Sequence, residues 1–179
     1  QECDEIYSII HFAGIYDMNS LVEISEEDFI RIFNINVFGV YRLNKLFVPL
    51  LKKNSRVVIT SSELAPLDPL PFTGLYGITK STIEKYAYSL RMELNLLGIK
   101  VCIIRPGAVK TGLLGVSPNR LDKFIETTEI YKENSLKFKH IVESVEAKNI
   151  EPYKIGKIAY KILKSKKPKY IYNINRNKL

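Results

Sequence analysis

The sequence predicts an α/β protein in which helices cover both faces of an open parallel sheet. Its apolar runs are short and do not alternate with polar residues, which is typical of strands buried on both faces. Amphipathic segments with helical periodicity separate these runs. The repeated order of strand then helix favours a doubly wound sheet.

Four segments are expected to form strands, and they are residues 6–14, 56–62, 100–107 and 169–175. The first ends in glycine, the second in two serines and the third in Pro-Gly. Ligands bind beyond the carboxyl ends of the strands in such sheets. We therefore expect a functional site where these small and turn-forming residues meet.

Three main helices are expected between the strands, over residues 25–49, 76–97 and about 152–165. Ser25 and Asp28 form a capping pattern at the start of the first helix. Gly98 is a natural stop for the second helix, and Pro152 suits the first turn of the third.

The chain between the third strand and Glu151 is less regular. Residues 118–148 have helical character with many charges. A long insertion after the carboxyl end of a strand often forms a lid over a ligand. We expect residues 112–149 to form such a substrate lid or loop.

The composition fits one soluble domain over residues 1–179, with 46% hydrophobic and 26% charged residues. No run approaches the roughly 18 apolar residues of a membrane-spanning helix, and no signal-peptide pattern is present at the N-terminus. The two cysteines, Cys3 and Cys102, form no metal-site spacing with histidine, and Cys102 is expected in the core. These features indicate a cytoplasmic protein without a metal.

The net charge of +8 arises entirely in the last third of the chain. Residues 1–119 hold 12 basic and 12 acidic residues, whereas residues 120–179 hold 15 basic and 7 acidic. A basic tail could attract nucleic acid or an anionic membrane. The lysines of residues 160–170 (YKILKSKKPKY) also fit a solvated helix end, where cations are favourable. We favour the solvated interpretation and expect no nucleic-acid partner.

Tyr76 and Lys80 lie four residues apart at the start of the second helix, so they share one helix face. A phenol titrates near pH 10, and a neighbouring cation lowers its pKa. Such a phenol can exchange a proton with an alcohol or a carbonyl, and a serine at a nearby strand end can donate to the same oxygen. The spacing alone is weak evidence, because many helices contain this pair by chance.

Five short motifs occur in one order along the chain. They are FAG after a strand, NINVFG within the next helix, TSS at a strand end, YGITK at a helix start and RPGAVKT after the following strand. Together they resemble the classical short-chain dehydrogenase/reductase family over roughly residues 6–112. The resemblance implies a Rossmann-like fold and an oxidoreductase that uses NAD or NADP.

The resemblance also implies a role for each matching residue. Tyr76 would be the catalytic acid and base, and Lys80 would lower its pKa and hold the nicotinamide ribose. Ser62 would orient the substrate oxygen, and Asn36 would hold a water in a proton relay with Lys80. The remaining cofactor contacts, besides Tyr76 and Lys80, would come from Ala13, Gly14, Pro106, Gly107, Val109 and Thr111.

Simpler interpretations of these residues stay open. Asn36 could bond to the backbone, Ser61 and Ser62 could cap a strand end, and Thr111 could cap a following helix. Pro-Gly at 106–107 would form a turn in any protein.

The sequence also departs from the family pattern. His11 and Phe12 stand where the family has two asparagines, which is expected to remove a side chain that braces the sheet. Ser62 and Tyr76 are 14 residues apart, one more than usual. No glycine-rich phosphate-binding turn is present, so we expect the C-terminal portion of the fold, with strand 6–14 at an apolar edge.

Two functions follow from these observations. The first is interconversion of an alcohol and a carbonyl on a hydrophobic substrate, because residues 63–75 and 112–116 are largely apolar. The second is a non-catalytic dimerisation or regulatory module. The resemblance implies a homodimer or homotetramer assembled through helices at about 25–50 and 76–97.

Overall fold

A computed structural model describes residues 4–111, 121–146 and 149–174, and a four-stranded parallel sheet forms their centre. The strands lie side by side in chain order, and they are β1 (Ile6–His11), β2 (Leu51–Thr60), β3 (Lys100–Pro106) and β4 (Ile171–Ile174). Every neighbouring pair is parallel. The predicted α/β class and parallel sheet are confirmed.

Helices connect the strands, and their bounds are α1 (Glu26–Phe33), α2 (Gly39–Phe47), α3 (Gly74–Leu96), α4 (residues 121–127), α5 (Lys132–Glu146) and α6 (Pro152–Lys164). The predicted cap is present, since Ser25 Oγ accepts a 3.1 Å hydrogen bond from the Asp28 backbone N–H. Gly98 follows α3 with φ of 73°, a conformation that glycine adopts without strain.

The helix expected over residues 25–49 is interrupted at its centre. A π-helical turn, Asn34–Phe38, separates α1 from α2, and a short 3₁₀ turn, Val48–Leu50, follows α2. A π turn inserts one extra residue and reorients the side chains within it. Here it carries Asn36, which is buried.

The sheet separates two hydrophobic cores because alternate strand residues face opposite sides. On one side α2 and α3 pack against Val57, Ile59, Val101 and Ile103. On the other side α6 packs against Val58, Cys102 and Ile104. Cys102 is buried, as predicted.

Polar contacts fix α3 against the sheet. Arg105 on β3 donates to Glu84 on α3, with 2.6 Å between Nε and Oε1. Near β1, His11 Nε2 donates to Asn44 Oδ1 at 2.8 Å, and Asn44 Nδ2 donates to the Tyr86 hydroxyl at 3.2 Å. His11 therefore braces the sheet itself, although we expected its presence to remove a brace.

Candidate active site

The carboxyl ends of the strands surround a cleft of about 460 Å³. Its walls come from the segment after β1, the ends of β2 and β3, the start of α3, and parts of α5 and α6. The apolar lining residues include Phe12, Ile15, Met18, Leu64, Leu70, Phe138, Ile141 and Ile155. The cleft therefore offers an apolar space next to the predicted catalytic side chains.

Two serines follow β2 and point in different directions. Ser61 donates from its backbone N–H to the Ile104 carbonyl at 2.8 Å, and its hydroxyl lies 3.5 Å from the Lys80 carbonyl. Ser62 Oγ accepts from the Leu64 backbone N–H at 3.2 Å, and the Ser62 hydroxyl acts on the pKa of the Tyr76 phenol. Ser62 is thus the serine that meets the tyrosine.

Tyr76 and Lys80 lie on the buried face of the first turns of α3. The Lys80 ammonium nitrogen is 5.5 Å from the centroid of the Tyr76 ring and donates to the Thr60 carbonyl at 3.2 Å. Among the described residues, no carboxylate lies within ion-pair distance of Lys80. The edge of Tyr16 packs on Tyr76 with 4.7 Å between ring centroids.

Burial shifts the pKa values of this pair in opposite directions. Desolvation raises the pKa of the Tyr76 phenol to about 12, although the nearby Ser62 hydroxyl acts to lower it. Desolvation lowers the pKa of the Lys80 ammonium to about 8. Near neutral pH the tyrosine is therefore a protonated phenol beside a cationic lysine.

Asn36 links three parts of the site. Its Oδ1 accepts from the Ile15 backbone N–H at 2.8 Å, and its Nδ2 donates to the Ile15 carbonyl at 2.9 Å and to Thr79 Oγ1 at 3.1 Å. Both amide hydrogens are used by protein groups, so the side chain acts as a bracket between the β1 loop and α3. Any water of a proton relay would have to bind another group of this residue, such as its backbone.

Gly14 lies directly against this bracket. A β-carbon at Gly14 would lie 3.3 Å from Asn36 Oδ1 and 3.5 Å from Lys80 Nζ. The neighbouring Ala13 is exposed and is not among the residues that line the cleft. The glycine thus leaves room at the place where the lysine ammonium reaches the cleft.

The segment after β3 forms the opposite wall. Pro106, Gly107, Val109 and Thr111 all line the cleft, as does Ala108. Gly107 donates from its backbone to the Ile174 carbonyl at 2.9 Å. The structure therefore brings every predicted site residue except Ala13 and Asn36 to the cleft wall, with Asn36 directly behind it.

Helices α4 and α5, here called the cover, lie in the region where a lid was expected, and Phe138 and Ile141 of α5 line the cleft. Phe72, with φ of 64°, stands at the centre of an aromatic cluster with Phe124, Tyr131 and Phe138, at centroid distances of 4.7 to 5.5 Å. Of the expected lid, residues 112–120 and 147–148 lie outside the described residues, and so does the apolar segment 112–116.

A carboxylate fixes the turn between α4 and α5 to the body of the protein. Glu23 accepts from the Thr128 hydroxyl at 2.7 Å and from the backbone N–H groups of Glu129 and Ile130 at 2.8 and 3.1 Å. These hydrogen bonds lower the pKa of Glu23.

Sequence reasoning missed several residues of the site. Tyr16 packs on Tyr76, Thr60 accepts from Lys80, and Ile155 and Gly156 bring α6 to the cleft. Its position at the carboxyl end of β2 was a usable signal for Thr60. No sequence signal places α6 beside the cleft, because that contact depends on the packing of distant elements.

A parallel sheet whose strand ends surround such a cleft defines a Rossmann-like α/β protein. Comparison with known proteins identifies the family. Residues 1–121 match the short chain dehydrogenase family, and the chain belongs to it.

Relatives and solved structures agree with this assignment. The chain is 29% identical over 164 residues to 3-ketodihydrosphingosine reductase of Bacteroides thetaiotaomicron, with 90% of this chain and 60% of that protein covered. It is 32% identical to the uncharacterized oxidoreductase YbbO of Escherichia coli K12, with 78% and 53% covered. The chain thus spans little more than half the length of these relatives.

Among solved structures, a short-chain dehydrogenase from Streptomyces avermitilis has the same fold, with a TM-score of 0.76 at 21% identity and coverage of 96% of this chain and 61% of that one. A short chain dehydrogenase from Burkholderia cenocepacia in complex with NADP is similar at a TM-score of 0.58 and 28% identity, covering 61% of this chain and 44% of that one.

In the described ranges, no helix is both long and apolar enough to span a membrane.

Proposed function

We propose that the protein is an NAD(P)-dependent oxidoreductase that interconverts an alcohol and a carbonyl on a hydrophobic substrate. The observation that carries this proposal is that Tyr76, Ser62 and Lys80 line one apolar cleft together, with the Lys80 ammonium 5.5 Å from the centroid of the Tyr76 ring. The names of the relatives, which are reductases and oxidoreductases, support the same class of reaction.

The residues of the cleft fit a nicotinamide cofactor. A lysine ammonium carries three N–H donors, and one of them is used by the Thr60 carbonyl. The remaining donors suit the hydroxyls of a ribose, and Gly14 keeps the approach to Lys80 open. Pro106, Gly107, Val109 and Thr111 are proposed to frame the nicotinamide, and the NADP complex of the Burkholderia relative supports this use of cofactor.

Each catalytic side chain has a distinct task. The substrate oxygen accepts hydrogen bonds from Tyr76 and Ser62, which orient it in the cleft. In carbonyl reduction the Tyr76 phenol transfers its proton to the oxygen that becomes the alcohol, and in oxidation the phenolate takes that proton back. A nicotinamide held by these residues would supply the hydride in one direction and accept it in the other. Lys80 stabilises the phenolate by its charge.

The substrate is proposed to be hydrophobic because apolar side chains dominate the cleft lining. Met18 and Phe138 are almost completely buried yet reach its wall, and they belong to one hydrophobic cluster with Leu121 and Phe124 of α4. We also propose a cytoplasmic location, which suits the buried thiol of Cys102.

Assembly into a homodimer or homotetramer is proposed to use the outer faces of α1, α2 and α3. These faces expose large apolar side chains that single domains usually bury. Exposed examples are Ile30, Tyr41, Leu46, Ile78, Tyr88, Met92 and Leu96.

The decisive experiment replaces Tyr76 by phenylalanine in the complete protein. Tyr76→Phe keeps the ring but cannot carry the proton, so turnover should fall by roughly 10² to 10⁴ while the affinity for NADH or NADPH is retained. Tyr88→Phe, which alters an exposed tyrosine of the same helix, is the matched control and should keep full activity. Normal turnover of Tyr76→Phe would refute the assigned role, and absence of binding to either cofactor would favour a non-catalytic assembly module.

A further inference from the structure

The outer face of α6 is basic and aromatic along its whole length. Its exposed side chains are Tyr153, Lys154, Lys157, Tyr160, Lys161 and Lys164. Three further exposed lysines follow the helix, so residues 152–170 contain seven lysines and no acidic residue. A solvated helix end accounts for the last lysines but not for a continuous face that also exposes two tyrosines.

The tyrosines of this face are paired with its lysines. Lys157 Nζ lies 4.9 Å from the centroid of the Tyr153 ring, and Lys164 Nζ lies 5.7 Å from that of Tyr160. The two tyrosines are 57% and 63% exposed. An exposed aromatic body with a polar tip, held beside a cation, suits the boundary between lipid headgroups and water.

The opposite face of α6 is already used for folding. Ile155, Ala159 and Ile162 are buried against the sheet. The helix therefore cannot turn an apolar face outward, and any surface it binds is met by lysine and tyrosine alone. Such a contact is peripheral and electrostatic.

The chemistry of the face favours a lipid surface over nucleic acid. Residues 152–170 contain no arginine, whereas bidentate reading of phosphates and bases relies strongly on arginine. Clusters of four to eight lysines or arginines on a helix are typical of binding to anionic lipids.

The position of α6 adds an independent argument. Pro152, Ile155 and Gly156, in its first turns, line the apolar cleft. Tyr153 and Lys157 are the immediate neighbours of these residues on the outer face. A surface that binds this face therefore lies next to the cleft.

We propose that the outer face of α6, with the lysines that follow it, binds the surface of an anionic lipid bilayer. This contact places the apolar cleft beside the bilayer, where an amphipathic substrate resides. The contact itself does not depend on catalysis, whereas the delivery of such a substrate rests on the proposed oxidoreductase function. Binding is therefore measured without cofactor or substrate.

The first test measures co-sedimentation of the full chain with vesicles of phosphatidylcholine alone or of an equal mixture with phosphatidylserine. The protein should bind only the mixed vesicles, and added salt should release it. Each lysine near an anionic surface strengthens binding about five-fold, so replacing Lys154, Lys157, Lys161 and Lys164 by glutamine should weaken it at least about a hundred-fold. Lys45, Lys52, Lys53 and Lys85, exposed elsewhere, give a charge-matched control variant that should keep most of the binding.

The second test uses the absence of tryptophan from the sequence. In Tyr153→Trp the single indole should shift its emission to the blue with mixed vesicles and be quenched by brominated lipid. Tyr41→Trp, on the α2 face proposed for assembly and away from α6, should show neither change. Equal binding to both vesicle types, equal loss in the control variant, or binding to RNA in place of vesicles would each overturn the proposal.

Discussion

At the level of single residues, burial controls the chemistry of the site more strongly than charge does. The sequence suggested that Lys80 lowers the pKa of Tyr76, but desolvation raises it to about 12. The phenol and the ammonium are both buried, and the low-polarity surroundings disfavour the charged form of each. Tyr76 is thereby kept protonated. Of these two side chains, Lys80 is the one whose pKa lies nearer to neutral pH.

This difference predicts the pH dependence of carbonyl reduction. The value of kcat/KM should fall as the pH rises through about 8, because Lys80 then loses the charge that is proposed to stabilise the phenolate and to hold the cofactor. Tyr76 cannot cause this fall, since its pKa is about 12. The measurement is a pH profile of kcat/KM together with fluorescence titration of the cofactor at each pH.

Lys80→Met separates this explanation from a general loss of structure. Its cofactor affinity should be lower than that of the parent protein and independent of pH around 8, while the parent loses affinity across the same range. If kcat/KM of the parent protein stays constant up to about pH 10, Lys80 keeps its proton over that range. That result would contradict the assignment of the fall in kcat/KM to Lys80.

At the level of elements, the sequence predicts what local patterns determine. The capping pair at Ser25, the stop at Gly98 and the strand ends all appear close to their expected positions. The π turn around Asn36 was not predictable, because its reason lies in bonds to Ile15 and Thr79, which are 21 and 43 residues away. The same holds for Phe72, whose positive φ is maintained by an aromatic cluster from α4 and α5.

Gly156 in α6 and Gly77 in α3 are helix positions where alanine should increase the stability of the protein. A β-carbon at Gly156 would meet no atom within 4 Å, and the same is true of Gly77 in α3. Glycine in a helix interior is less favourable than alanine by roughly 0.5–1 kcal/mol. Gly156→Ala and Gly77→Ala should therefore each raise the free energy of unfolding by about that amount, measured by urea denaturation.

The two variants should differ in ligand binding. Gly156 lines the cleft and Gly77 does not. If a ligand approaches the backbone of α6, Gly156→Ala should raise the KM for substrate while Gly77→Ala leaves the KM unchanged. An unchanged KM in both variants would mean that no ligand reaches this part of the cleft wall.

At the level of the whole molecule, topology explains why the site was largely predictable. Parallel strands bring their carboxyl ends to one edge, so Ser62, Gly14 and Gly107 converge although they are far apart in sequence. The cover, the bracing of β1 by His11 and the contact of α6 with the cleft depend instead on how distant elements pack. No periodicity or motif encodes those contacts.

The buried lysine also links the site to the stability of the whole molecule. The pKa of Lys80 is about 8 in the folded protein, against about 10.5 in an unfolded chain, so the unfolded state binds more protons between these values. Stability must then rise with pH in this window. We expect a gain of about 1 kcal/mol in unfolding free energy between about pH 7 and about pH 9.

Two other buried groups limit the pH range over which the unfolding free energy rises. Burial raises the pKa of the Cys102 thiol to about 11 and that of the Tyr76 phenol to about 12, so the folded state holds protons that the unfolded chain releases above about pH 9 to 10. Stability should therefore level off and then fall in more alkaline solution. Urea denaturation of the parent and of Lys80→Met across this range tests the assignment, because Lys80→Met should lack the rise between about pH 7 and about pH 9 and keep the alkaline fall. If both proteins rise equally, a different group is responsible and Lys80 is not the buried cation that links stability to the site.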